Sequence, residues 1–458
     1  MEFIKRYQIQ IWILAVLALA GYFLFAYELK RTDHQFIFGV YTALFVVGLI
    51  ITAHFVRHGK HWMFIFAFGL AFRLVFLFVT PHLSNDYFRF TWDGELQKDG
   101  ISAFQFLPRN HAEYFESDPV LAEKYSALYE ASSAEFPDGM NSKRYYSIYP
   151  TINQFVFKTA SMIGSPNDGN LVVMRIWLLI AEIVSFFILR LLLIKKGKNA
   201  ALVGLYWLNP LIIIEIVGNL HFDGFAIAFI LLALYYLSQK KTTAAGAALA
   251  LAICSKLNPV FFIGAVFKKR TTKTFILFSG VTVLLTVGLM AVILDSETFW
   301  NFKNSFGLYF AWFSFNAGPY AFIKEASILL TGVNISDKIS LIFPIITLLL
   351  FIQISIKSDK KIHHKLLLLY VVYFSFSPVV HPWYLTVLIP FGILSGKLYP
   401  IFWSLLAFFT YQAYGEGFNE NVTFVVLEYA FIYALMYVEH KGSSKRIEGL
   451  KYWLGLKG

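Results

Sequence analysis

The chain has 458 residues, of which 58% are hydrophobic, 19% aromatic and only 15% charged. With a mean hydropathy of +0.61, no soluble fold could hide so much apolar surface, so lipid is the solvent for much of the chain. The net charge of +11 sits in short clusters between apolar runs, the pattern of cytoplasmic loops and not of a nucleic-acid groove.

Apolar runs able to span a bilayer are predicted first near 9–28, 36–56 and 62–80. No small-residue cleavage site stands out near the first, which reads as an uncleaved spanning helix. Residues 81–170 form the one soluble-sized segment. They hold twelve Asp and Glu against seven Lys and Arg, a net charge of −5. Rich in Tyr and Phe, they are predicted to fold as short amphipathic helices on the bilayer surface, with 145–164 as one such helix. Further spans are predicted near 170–193, 200–217, 223–238, 274–293, 338–357, 365–380, 383–395, 398–414 and 422–438. Residues 244–267 differ. Lys240-Lys241 and Lys268-Lys269-Arg270 flank them, and so short a segment cannot cross twice. The break "SKLNP" (255–259) fits a re-entrant hairpin.

With the basic clusters inside, both termini are inside. The loop 81–170, "GNLHFDG" (218–224), 294–337, "HPWY" (381–384) and "GEGFNEN" (415–421) are expected outside. Lys30-Arg31 alone runs against the rule. The expected fold is an all-α polytopic membrane bundle of about 12–14 transmembrane or re-entrant helices, one domain over 1–458. The single Cys254 excludes an intramolecular disulfide and a Cys-rich metal site. No P-loop is present, so the chain has no ATP-driven engine.

Directly after the third run, "LSNDYFRFTWDGELQKDG" (83–100) turns to carboxylates. On a helix, Asp86, Arg89 and Asp93 share one face. Two carboxylates around an arginine suit general-base chemistry, and the arginine suits a phosphate leaving group. The same pattern also suits an ion-pair belt at the bilayer edge. His221 and Asp223 lie on the same outer side, where Asp223 is equally placed to cap a helix. His381 joins them, or belongs to an interfacial aromatic belt. Lys256 tops the hairpin, where an ammonium needs an anionic partner or snorkels. Arg73, Arg175 and Glu182 lie within predicted helices, with Arg175 and Glu182 spaced as a structural pair. The aromatics of 299–320 serve sugar stacking or, more naturally, lipid contact.

These motifs resemble the GT-C glycosyltransferases, in particular bacterial mannosyltransferase-like enzymes that use polyprenyl-phosphate sugars. "DYFRFTWDGELQKDGI" is similar to their first external loop through Asp86, Arg89, Trp92, Asp93, Gly94, Gln97, Gly100 and Ile101. "YPTINQ" is similar to the following element through Tyr149, Pro150 and Gln154; "NLHFDG", "SKLNP" and "HPWY" resemble later ones. "SAF" departs from the family's Asn-Pro-Tyr, which bears on the acceptor pocket. The resemblance covers most of 60–390.

It implies a GT-C-type bundle in the cell (inner) membrane with 81–170 as its extracytoplasmic catalytic loop. The implied reaction moves a hexose, mannose foremost, from a polyprenyl-phosphate donor to a lipid-linked or cell-envelope glycan, with inversion. Asp86 is the implied base, with Asp93 as alternative base or acceptor-binding carboxylate. Arg89 and Lys256 would meet the phosphate. Trp92, Tyr149, Gln154, His221, Asp223 and His381 would bind substrate. No cofactor or metal is expected, although His221 with Asp223 suits a divalent ion. A glycan flippase would share the bundle, but more often shows two similar halves. A polysaccharide polymerase is the chemical neighbour. Membrane lipids are partners in every case, and nucleic acid in none.

Overall fold

A helix that is apolar on all sides must be surrounded by lipid or by other helices. The computed structural model describes residues 2–58, 62–135, 139–140, 142–165, 168–311, 314–414, 419–442 and 445–456. Among them there is no strand, only an isolated bridge between Phe315 and Val379. Three helices precede the loop: α1 (Glu2–Tyr27), α2 (His34–His58) and α3 (Trp62–Leu74). The loop contributes α4 (Asp86–Lys98), α5 (Pro119–Glu135) and α6 (Thr151–Ile163). Then come α7 (Asp168–Lys195), a broken segment over 200–218, α8 (Asp223–Ser238), α9 (Thr242–Ile253), α10 (Phe261–Val266), α11 (Thr272–Met290) and α12 (Ser296–Ala311). The chain continues through α13 (Gly318–Thr331), α14 (Ser336–Lys357), α15 (Ile362–Phe376), α16 (Leu388–Ser395), α17 (Tyr399–Leu406), α18 (Val422–Lys441) and α19 (Lys445–Trp453).

Five of these, α1, α2, α7, α11 and α18, are long and apolar enough to cross a bilayer alone. Helix α11 exposes Ile276, Leu284 and Val287, apolar groups that only lipid would cover. The structure is thus an all-α polytopic membrane protein.

The broken segment corrects the expectation of one continuous helix over 200–217. Its two halves meet at 62°. Pro210 lacks an N–H, and Asn209 Oδ1 accepts from Leu211 N (2.9 Å), so the backbone turns at Asn209 instead of continuing. The second half, Ile212–Gly218, is a π-helix, a form that recurs at functional sites. Its last carbonyls are met by Arg175, whose Nε donates to Val217 O (3.0 Å) and Nη2 to Gly218 O (3.0 Å). Arg175 therefore does not pair with Glu182. Glu182 instead accepts from Arg73 Nη2 (2.8 Å) and Tyr206 OH (2.6 Å), all three side chains buried.

The helix expected over 145–164 begins only at Thr151, because Pro150 disfavours helix in the residue before it. The run 398–414 is α17 followed by a 3₁₀ turn over Ala407–Tyr414. The loop also does not simply lay its aromatics on lipid. Trp92, Leu96, Phe106, Phe115, Tyr125 and Met140 form a small core of its own. In α12, Phe299 and Trp300 are exposed while Phe302 is buried beside Phe104. Side chains 306–311 and residues 312–313 of that aromatic stretch lie outside the described residues.

Helices α9 and α10 form the short hairpin. At its far end Arg270 Nη2 donates to Leu237 O (2.9 Å), which returns the chain to the end of α8. At its tip, Cys254 O accepts from Ile152 N (2.9 Å) and Ser255 O from Asn153 Nδ2 (3.0 Å). The tip therefore rests on the start of α6.

Candidate active site

Four distant stretches meet at that tip. The first turn of α4 supplies Asp86. The turn between the π-helix and α8 supplies His221 and Asp223. The hairpin supplies Lys256, and residues 381–384 supply His381, Trp383 and Tyr384.

The turn carrying His221 is backbone-strained. Leu220, fully buried, has φ +62, a left-handed conformation that a branched residue rarely adopts. His221 is fixed on two sides. Its Nδ1 lies 3.0 Å from Glu215 Oε2 and 3.1 Å from Glu215 O. Its ring stacks on Trp383 at 3.7 Å and 9°. His381 stacks on Trp383 as well, at 4.3 Å and 3°. With Nδ1 donating to Glu215, the Nε2 of His221 points to Asp86, 3.9 Å from its Oδ2.

Glu215 is fully buried inside the π-helix. Its oxygens also accept from Tyr411 OH (2.8 Å) and Asn219 Nδ2 (3.2 Å). A buried carboxylate with that many donors is satisfied, and it holds the imidazole in place. Lys256 pairs with Asp223 and lies 3.8 Å above the Tyr384 ring. The site opens where Asp86 and Lys256 stand, with side chains 17% and 23% exposed, against 3% for His221. A cation paired with one carboxylate, Asp223, at an opening shared with a second, Asp86, suits a reaction in which one oxygen loses a proton and another gains negative charge.

The other predicted residues form a second network. The shared face of Asp86, Arg89 and Asp93 does not operate as a unit. Arg89 turns inward: Nε donates to Asp93 Oδ1 (2.6 Å), Nη1 to Tyr145 O (2.8 Å) and Nη2 to Ala103 O (3.3 Å). Asp93, with no exposed surface, also accepts from Gln154 Nε2 (2.9 Å) and Ser147 Oγ. Burial pushes its carboxyl up from the ordinary value, against the opposing pull of Arg89, Ser147 and Gln154. Trp92 is buried against Tyr125 (5.1 Å) in the loop's own core. Tyr149 packs edge-on against Phe90 (5.0 Å). Phe90 in turn meets Phe222 (5.2 Å), so this network backs the first cluster from behind. Gly94 makes the packing possible: a Cβ there would stand 2.5 Å from Phe157 O.

Of the ten residues expected from sequence, Asp86, His221, Asp223, Lys256 and His381 come together; Arg89, Trp92, Asp93, Tyr149 and Gln154 do not join them. Glu215, Trp383, Tyr384 and Tyr411 were not singled out. Glu215 carried a signal, a lone carboxylate in "LIIIEIVG". Tyr411 carried none. Among the described residues, no group of three His, Cys, Asp or Glu side chains is spaced to hold a metal ion.

Residues 145–269 match the family model described as alpha-(1->6)-mannopyranosyltransferase, N-terminal domain. The match supports a mannosyltransferase of the GT-C type. No curated protein matches, and no solved structure matches. The matched segment carries Gln154, Glu215, His221, Asp223 and Lys256; Asp86 and His381 lie on either side of it. The π-helix, the strained turn and the hairpin tip thus all fall inside the stretch that matches.

Proposed function

We propose that this glycosyltransferase moves mannose from a polyprenyl-phosphate donor to a lipid-linked or cell-envelope glycan on the extracytoplasmic face. The acceptor hydroxyl gives its proton to Asp86 as its oxygen bonds to the anomeric carbon. The bond from that carbon to the phosphate oxygen breaks, the electron pair leaves with the lipid phosphate, and configuration inverts. Lys256 offsets the charge that grows on the leaving phosphate. His221, held by Glu215 and Trp383, lines the sugar side of the cavity beside Asp86. Arg89 and Asp93 are positioning residues that fix α4, not groups that touch substrate.

The observation that carries this reading is the meeting of Asp86, His221 and the Lys256–Asp223 pair at one opening. A donor with a hydrocarbon tail keeps its phosphate at headgroup level, so its chemistry belongs at such a membrane edge. The test is incubation of purified protein with polyprenyl-phosphate mannose and a glycolipid acceptor, with release of polyprenyl phosphate as readout. Asp86→Asn should lower turnover by about 10²–10⁴ with donor binding kept. Wild-type turnover in that variant would remove Asp86 from the role of base.

A further inference from the structure

The opposite end of α7 carries a feature that mannosyl transfer does not use. Helix α7 has 28 residues, and at 1.5 Å per residue it spans about 40 Å. Its start packs beside the external loop, where Asn170 meets Glu95. Its end opens into a cavity of about 600 Å³.

Five lysines line that cavity, Lys195, Lys196 and Lys198 from one segment and Lys360 and Lys361 from another, together with His363 and His364. No carboxylate is among its described lining residues. Lys195 Nζ donates to Ser238 O (2.6 Å) and Lys198 Nζ to Ile393 O (3.1 Å), both neutral acceptors. Lys196 Nζ lies 3.2 Å from His363 Nδ1, again without a counter-charge. Asp359, next in sequence to Lys360, is fully exposed and turned to Lys269 instead (3.8 Å).

A basic loop needs only to stay on one side of the membrane, and lysines free to do so spread into water. Here two segments hold them round one concavity, where like charges repel. Burial, with Lys361 and Lys198 nearby, pushes Lys196 down to about 8. The start of α15 adds its positive end to the same wall.

We propose that this cavity binds a phosphate group, through charge-assisted hydrogen bonds from Lys196, Lys198 and Lys361. Its place between the ends of two membrane helices admits two sources, the headgroup of an anionic phospholipid or a free phosphorylated molecule.

Thermal unfolding of the full chain separates them. In neutral detergent it is followed against inorganic phosphate and pyrophosphate. In parallel it is followed in nanodiscs of phosphatidylcholine with and without phosphatidylglycerol. Stabilisation by the free anions assigns a soluble ligand; stabilisation by phosphatidylglycerol alone assigns a lipid headgroup. In the double variant Lys196→Gln with Lys361→Gln, the concentration for half-effect should rise by about tenfold or more. Lys268→Gln with Lys269→Gln, in a basic cluster off the cavity, should keep the response. Without anion, Lys361→Gln should unfold at the wild-type temperature or above it, because repulsion is relieved. No stabilisation by any probe, an equal response in both double variants, or a marked loss of stability in anion-free Lys361→Gln overturns the proposal.

Discussion

Replacing Asp93 with Asn keeps the side chain's size and removes its charge. In the folded loop that carboxylate has no exposed surface and accepts from Arg89 (2.6 Å), Gln154 (2.9 Å) and Ser147. Asn offers one acceptor oxygen where two served three donors, and its amide turns N–H groups toward them. Removing one member of a buried pair costs about 3–5 kcal/mol. Arg89 keeps its bonds to the carbonyls of Tyr145 and Ala103, so the lower end, about 3 kcal/mol, applies. At about 1.4 kcal/mol for each tenfold, opening of the α4–α6 unit should become roughly a hundredfold more frequent. Amide hydrogen exchange over 86–163 in the purified protein reads this directly. Asp86→Asn, at the partly exposed first turn of the same helix, is the control and should leave exchange unchanged. Activity of Asp93→Asn should fall with loss of folded loop, and added acceptor should not restore it. If exchange stays within about threefold of wild type while excess acceptor restores turnover, Asp93 is an acceptor-binding group and the reasoning fails.

Lys256→Met should weaken donor binding by about 10- to 100-fold, the loss of one charge-assisted hydrogen bond. If the lysine serves only to neutralise Asp223, the double variant Lys256→Met with Asp223→Asn would regain wild-type donor affinity, which a direct binding assay decides. Gly94→Ala places a methyl 2.5 Å from Phe157 O and should destabilise by about 1–3 kcal/mol, seen as a lower unfolding temperature. An extracytoplasmic loop predicts that Ala127→Cys reacts with an impermeant thiol reagent in intact cells, after outer-membrane permeabilisation where one exists. Lys241→Cys should stay protected. Equal labelling would reverse or abolish this topology.

Apolar runs and basic clusters were enough to read the bundle from the sequence, because lipid leaves a helix few alternatives. Even the hairpin was legible, since Lys240-Lys241 and Arg270 mark both its ends as one side. The break at Asn209–Pro210 was not, although Pro210 stood in plain view. Hydropathy averaged over 200–217 hides a turn whose backbone is satisfied by an asparagine side chain. Within the site, Asp86, His221, Asp223, Lys256 and His381 were legible as polar groups at the ends of apolar runs. Arg89 and Asp93 turn away from Asp86 for a specific reason. Helical spacing says which side chains share a face, not whether that face looks to a cavity or to a covering loop, and 142–147 supplies the cover. Glu215 and Tyr411 meet 196 positions apart, beyond the reach of any local pattern.

The π-helix and its turn acquire another meaning during synthesis. The site needs residues from Asp86 to Tyr411, and at about 5–20 residues per second a ribosome takes roughly half a minute between them. Polar side chains delivered early must wait in or near lipid for partners delivered late. The chain shortens that wait by pairing nearby residues. Glu215 receives Asn219 and His221 within six positions, and Asp223 receives Lys256 after 33. Glu215 and Asp223 of the half-made membrane protein thus do not stay lone carboxylates for long. Trp383 and Tyr411 arrive last, so a chain cut short before them would be inserted and neutralised but have no finished site.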